Sequence, residues 1–125
     1  MIVKVPLFVK VGTSKKVYLN MNTYRNLHYF TSNLLKKEVK RIVQSQVIGE
    51  IDWPCVVEIV LIVPDKRRRD LSNFCSVADK MVCDALVEIG AIPDDSTDYI
   101  KEVRYLFGGI DKVNSGFLIR VSKKD

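Results

Sequence analysis

Nine consecutive residues, Cys55 to Val63, read CVVEIVLIV, and all but Glu58 are apolar. A strand with one face in water alternates in polarity. A run that is apolar at nearly every position, and rich in β-branched side chains, belongs inside a sheet. The segment that follows is charged, and after it Phe74, Val77, Ala78, Met81, Val82, Leu86 and Ile89 recur at helical spacing. Ser72 or Asn73 can cap that helix, and Gly90 sits where a left-handed C-terminal residue ends one.

The remaining elements arrange themselves around this strand and helix. Residues 2–11, IVKVPLFVKV, alternate as a strand whose Pro6 argues for a sheet edge. A polar turn, GTSKK, separates it from the short apolar run VYL. Over residues 31–47, Leu34, Leu35, Val39, Ile42, Val43 and Val47 form a helical stripe between lysines, with Thr31 or Ser32 as cap and Gly49 as stop. YIKEVRYLFG and FLIRV read as two further strands joined by the turn DKVNSG. The order predicts a single α+β domain over residues 1–125, with a mixed β-sheet of about four strands and two main helices.

At 125 residues the chain can bury a real core, and 47% apolar residues with a mean hydropathy of +0.04 are those of a folded protein. No apolar run reaches the roughly 18 residues of a membrane span. The first twelve residues are interrupted by Lys4 and Lys10, unlike a secretory signal. A cytoplasmic location is expected, without a membrane partner. Cys55, Cys75 and Cys83 lack CxxC spacing and sit in apolar surroundings, so buried reduced thiols are expected. His28 is the only histidine, which excludes most zinc enzymes.

Charge is divided along the chain. Residues 1–69 hold 13 basic and 5 acidic side chains, whereas residues 70–125 hold 7 and 10. The seam falls in KRRRDLSN, where Lys66, Arg67, Arg68 and Arg69 run into Asp70. Such a run is either a solvated turn or a phosphate clamp, in which arginines make bidentate, sequence-independent contacts. Asp70, Asp94 and Asp95 are candidate ligands of a hard cation such as Mg²⁺, which prefers carboxylate oxygens. PDDS is equally readable as a Pro-Asp turn. For Asp95 to meet Asp70, the loop after the helix must fold back along most of its length. Lys80 shares a stripe with Asn73 and Asp84. It either binds phosphate or pairs with Asp84 on a solvated face. The aromatic residues of NTYRNLHYF stack on bases or fill the core, and Arg25 among them is a further candidate for DNA binding.

Together, VPDKRRRDLSN after a strand, ADKMVCDALVEIG on a helix and IPDDS in a loop resemble the RusA family of Holliday junction resolvases, small endonucleases of phage and prophage origin. The resemblance covers roughly residues 63–98, and LNMNTYRNLHYF is similar to the Asn- and aromatic-rich N-terminal segment of phage members. By position it implies catalytic roles for Asp70, Asp95 and Lys80. It also implies metal ligation by Asp70, Asp95, Asp94 and Ser72, and DNA contacts from Lys66, Arg67, Arg68, Arg69, Asn73, Lys80 and Arg25. It further implies a homodimer, Mg²⁺ with Mn²⁺ as a possible substitute, no small-molecule organic cofactor, a four-way DNA junction as substrate, and a folded-back loop. One position departs from the pattern. The second aspartate of the family's Asp-x-Asp-Asn is Ser72 here, a neutral and weaker ligand.

The expected function is therefore Mg²⁺-dependent, structure-selective hydrolysis of DNA at four-way junctions. The alternative is a junction- or branched-DNA-binding protein in which Ser72 has weakened or abolished catalysis. A third reading is a basic domain that binds RNA or a protein partner, its acidic residues being structural.

Overall fold

The expected inner strand is present with the expected limits, β4 (Cys55–Val63), and it lies between two others. The structure, a computed structural model, describes residues 1–12 and 15–125. Thr13 and Ser14, in the expected GTSKK turn, lie outside the described residues. The other elements are β1 (Ile2–Val5), β2 (Phe8–Val11), β3 (Lys15–Tyr18), α1 (Met21–Arg25), α2 (Tyr29–Gln44), α3 (Leu71–Glu88), β5 (Ile100–Ile110) and β6 (Gly116–Lys123). A four-stranded mixed sheet has the order β1-β6-β4-β5, and β2 pairs with β3 in a separate hairpin. The chain is thus a small α+β domain, with three helices among the described residues. None of the helices among the described residues is long and apolar enough to cross a membrane.

β4 pairs antiparallel with β6 and parallel with β5, so α3 is the crossover that returns the chain to the starting end of the sheet. Cys55, Val57, Ile59, Leu61 and Val63 join the main core, where they meet Leu35, Val39 and Val43 of α2 and the apolar stripe of α3. Val56 and Val60 on the other face are also buried, which explains the near-continuous apolar run. All three thiols are buried and free. Burial pushes Cys75 up to about 11, with the nearby Asp79 carboxylate adding to the shift. These are inert packing groups.

Four expectations need correction at element ends. The single strand over residues 2–11 is two strands, because Pro6 has no N–H to donate. β1 forms the sheet edge beside β6, while β2 leaves to pair with β3. A five-residue helix, α1, precedes α2 and was not expected. α2 starts at Tyr29, capped by His28, whose Nδ1 accepts from the Phe30 N–H at 3.2 Å. Thr31 and Ser32 lie inside its first turn. α3 starts one residue after Asp70, so neither Ser72 nor Asn73 is its cap. Gly90 does take the left-handed conformation at the C-terminus of α3, with φ of 80°.

A polar tie fixes α3 to β5. Asp79 Oδ2 accepts from the Tyr105 hydroxyl at 2.8 Å, and its Oδ1 accepts from Cys83 Sγ at 3.3 Å. Where β1 and β6 meet, Gly116 has φ of 143°, and a Cβ there would come within 2.7 Å of the Val5 carbonyl oxygen. Gly116→Ala should therefore lower the unfolding free energy by about 1–3 kcal/mol, read from the urea midpoint. An unchanged midpoint would show that this strand junction tolerates a side chain.

Candidate functional site

The basic loop, residues 64–70, leaves the C-terminal end of β4 and enters α3. Its shape depends on Asp65. One carboxylate oxygen, Oδ1, accepts from the Arg67 backbone N–H at 2.9 Å and from Arg69 Nη1 at 2.8 Å. Arg69 also donates to the Arg67 carbonyl at 3.2 Å, and its side chain is only 13% exposed. Arg69 is thus a structural staple, whereas Lys66, Arg67 and Arg68 do not pair with carboxylates among the described residues. The four-charge run is eased by the acid before it, not by Asp70 after it. The hydrogen bond from Arg69, followed by that from the Arg67 N–H, holds the Asp65 carboxyl below its ordinary value.

Asp70 occupies the N-cap position of α3, yet its side chain makes no capping hydrogen bond. A carboxylate there is favoured by the positive end of the helix dipole. With neither oxygen used for capping, it remains available to a ligand. It lines an open groove of about 1170 Å³ together with Arg25, Arg67, Arg68, Asn73 and Lys112. Parallel strands place their following loops on one side of the sheet. The turn after β5 therefore adjoins the loop after β4, and Asp111 N–H bonds to the Val63 carbonyl at 2.8 Å. That turn is closed by Asp111, whose Oδ1 accepts from the N–H groups of Val113 and Asn114, both at 3.1 Å. Lys112 is held beside the groove in this way.

Arg25 lies on α1, whose N-terminal end is fixed by two asparagines. Asn20 caps it through the Thr23 N–H at 2.8 Å, and Asn73 Oδ1 accepts the Met21 N–H at 3.0 Å. Asn73, expected on DNA, therefore uses its carbonyl oxygen to position α1. Tyr24 and Leu27 pack against the core, but Tyr29 and Phe30 are 72% and 62% exposed. Ser72 is exposed in the first turn of α3, beside Asp70. Lys80 is also exposed and makes no ion pair among the described residues, Asp84 included. It lies ten residues along α3 from Asp70, about 15 Å at 1.5 Å per residue.

The second acidic pair is elsewhere. Asp95 lines a smaller groove near the C-terminal end of α3 with Lys36, Asp84 and Glu88, and Asp94 Oδ1 accepts from the Asp95 N–H at 2.9 Å. The 18-residue helix α3 separates the two ends by about 27 Å. The expected fold-back of this loop to Asp70 does not occur, because the chain has to enter β5 at the end where β4 begins. Ala91 and Ile92 N–H groups bond to the Leu86 carbonyl, and the Cys55 N–H bonds to the Tyr99 carbonyl at 2.6 Å. Among the described residues, groups of three or more His, Cys, Asp or Glu placed to hold a metal are absent. Within one chain Asp70 and the Ser72 hydroxyl offer a hard cation one carboxylate and one neutral oxygen, and Mg²⁺ held there would complete its shell with water and substrate phosphate.

Neither a scan against protein-family models nor a search of curated proteins gives a match. The geometry therefore has to carry the reading. It is a basic groove around one unengaged carboxylate, with an acidic cluster at the far end of the same helix. The charge division along the sequence does not carry over to the two ends of α3, because Lys112 of the acidic half joins the basic groove while Lys36 and Lys40 of the basic half lie beside the acids at the other end. Sequence reasoning missed Asp65, Lys112, Phe8 and Tyr18 as parts of this groove. The signal for Lys112 was parallel pairing of β4 and β5, which brings residues 111–115 beside residues 64–70.

The two arginine roles separate experimentally. Arg68→Ala should leave thermal stability unchanged while weakening polyanion binding and lowering the slope of log affinity against log salt by about one. Arg69→Ala should loosen residues 64–70, read as faster amide exchange there. Because the folded-state value of Asp65 is lowered, its contribution is complete at neutral pH. It is lost as pH falls through the folded value, below the ordinary 3.8. Amide protection of the loop in the unmodified chain should follow the same course.

Proposed function

We propose that this chain is a RusA-like, structure-selective endodeoxyribonuclease of the cytoplasm that acts on four-way DNA junctions as a homodimer. The observation that carries this reading is the groove at the start of α3. Arg25, Arg67, Arg68 and Lys112 surround the uncapped Asp70 there. Guanidinium groups hold a phosphate backbone without reading sequence.

The homodimer is part of the reading, because Asp70 and Asp95 do not meet in one chain. In a two-fold pair the same surface of both copies meets, so that a residue of one faces a different residue of the other and the reverse contact repeats it. Two α3 helices running antiparallel would bring Asp70 of each copy toward Asp94 and Asp95 of its partner. The acidic cluster and the basic groove then belong to one shared surface.

Ser72 favours a second reading, a protein that binds branched DNA without cutting it. It leaves a single carboxylate at the start of α3, where the family pattern has two.

The nuclease reading expects nicking of a synthetic four-way junction in Mg²⁺ or Mn²⁺ that is lost in Asp70→Asn and in Asp95→Asn. Mixing those two inactive variants should restore about a quarter of the sites, as random two-fold pairing predicts when each site draws on both copies. No restoration would place both acids in one chain and overturn the shared site. Binding without nicking in either ion, with nicking gained in Ser72→Asp, would establish the second reading instead.

A further inference from the structure

The β2–β3 hairpin stands outside the main sheet and presents two unlike faces. On one face Val9, Val11 and Val17 are buried. The other carries two register pairs, Phe8 opposite Tyr18 and Lys10 opposite Lys16. A solvated hairpin face seldom has this composition. Like charges directly opposite each other destabilise a strand pair, and neither lysine has a carboxylate partner among the described residues. The Phe8 and Tyr18 rings lie 5.3 Å apart, tilted by 51°, and the Lys16 ammonium rests 4.8 Å from the Phe8 centroid. Tyr18 is 46% exposed. Phe8 and Tyr18 line the same groove as Arg67, Arg68 and Asp70.

From this arrangement we infer that the open face of the hairpin is a stacking platform for unpaired bases, with Tyr18 and Phe8 receiving the base and Lys10 and Lys16 its flanking phosphates. The inference rests on the reading of the groove as a DNA-binding surface and names the substrate class more closely. Intact duplex hides the faces of its bases within the stack, so exposed aromatic rings have nothing to receive from it. A strand whose bases are unpaired at a branch or a gap offers them. Phosphates gripped by Arg67 and Arg68 would bring the neighbouring nucleotides to the Tyr18 side of the groove. An anion at the hairpin would also relieve the repulsion between Lys10 and Lys16.

The test compares binding of the full chain to three labelled DNAs by fluorescence anisotropy: an intact duplex, the same duplex with a short unpaired segment, and a four-way junction. Tyr18→Ala should weaken binding to the DNA with unpaired bases about tenfold and change duplex binding less than about twofold. Tyr18→Phe should keep the affinity, and Lys16→Gln should reduce the salt slope by about one. Because Tyr18 is half exposed, Tyr18→Ala should fold, and an unchanged circular dichroism melt checks that. Equal loss on duplex and unpaired DNA, or no loss on either, would overturn the platform. If Arg67→Ala and Arg68→Ala weaken binding to every probe while Tyr18→Ala weakens none, only the platform falls. If the unmodified chain binds none of the three DNAs, the reading of the groove falls with it.

Discussion

The parallel pairing of β4 with β5 governs both the architecture and the placement of the candidate site. Parallel neighbours cannot be joined by a tight turn, so the chain must return along the whole sheet before β5 begins. α3 makes that return. Its length places the loop after β4 and the loop after β5 at one end and the acidic loop, residues 91–99, at the other. The groove with Asp70 and the separation from Asp95 follow from the same constraint. The Asp79–Tyr105 hydrogen bond reinforces it by tying the crossover helix to the strand it serves.

Electrostatics at the groove reflect a division of labour among neighbours in sequence. Arg69 turns inward onto Asp65 and shapes the loop, while Lys66, Arg67 and Arg68 remain free at the surface. An exposed pair such as this contributes little to global stability. Its effect is local, since two hydrogen bonds to one carboxylate oxygen set the course of the backbone. Asp70 shows the converse arrangement. A capping bond from an aspartate commonly stabilises a helix by about 1 kcal/mol, and α3 forgoes it. The carboxylate keeps its favourable place at the helix dipole with both oxygens open to the groove.

What the sequence revealed depended on how local the cause was. β4 was readable because burial on both faces writes itself into composition, and the end of α3 because only a residue such as Gly90 accepts the left-handed turn there. The start of α3 was displaced because Ser72 and Asn73 are good caps in isolation. Asn73 is instead engaged by α1, fifty residues earlier in the chain. The break at Pro6 was half legible, since proline signalled an edge but not that the chain would join a second sheet. Asp70, Asp94 and Asp95 were grouped by chemistry as ligands of a hard cation, and the resemblance supplied the folded-back loop that would join them. A single chain instead brings Arg25, Arg67 and Arg68 to the groove of Asp70 and keeps Asp94, Asp95 and Lys80 out of it.

That separation changes the weight of Ser72. Were Asp95 folded back onto Asp70, a serine would remove one ligand from an otherwise sufficient set. With Asp95 some five turns of helix away, the start of α3 holds one carboxylate, and the serine leaves it alone there. On the proposed nuclease reading a second copy of the chain supplies acids from its own acidic loop, so cutting would depend on association. The proposed phosphate-binding groove has no such dependence. Arg25, Arg67, Arg68, Lys112 and the hairpin aromatics converge within a single chain. A monomer would therefore still grip a phosphate backbone after losing every means of cutting it. On the proposed nuclease reading, weakening the dimer should remove cutting and leave binding in place.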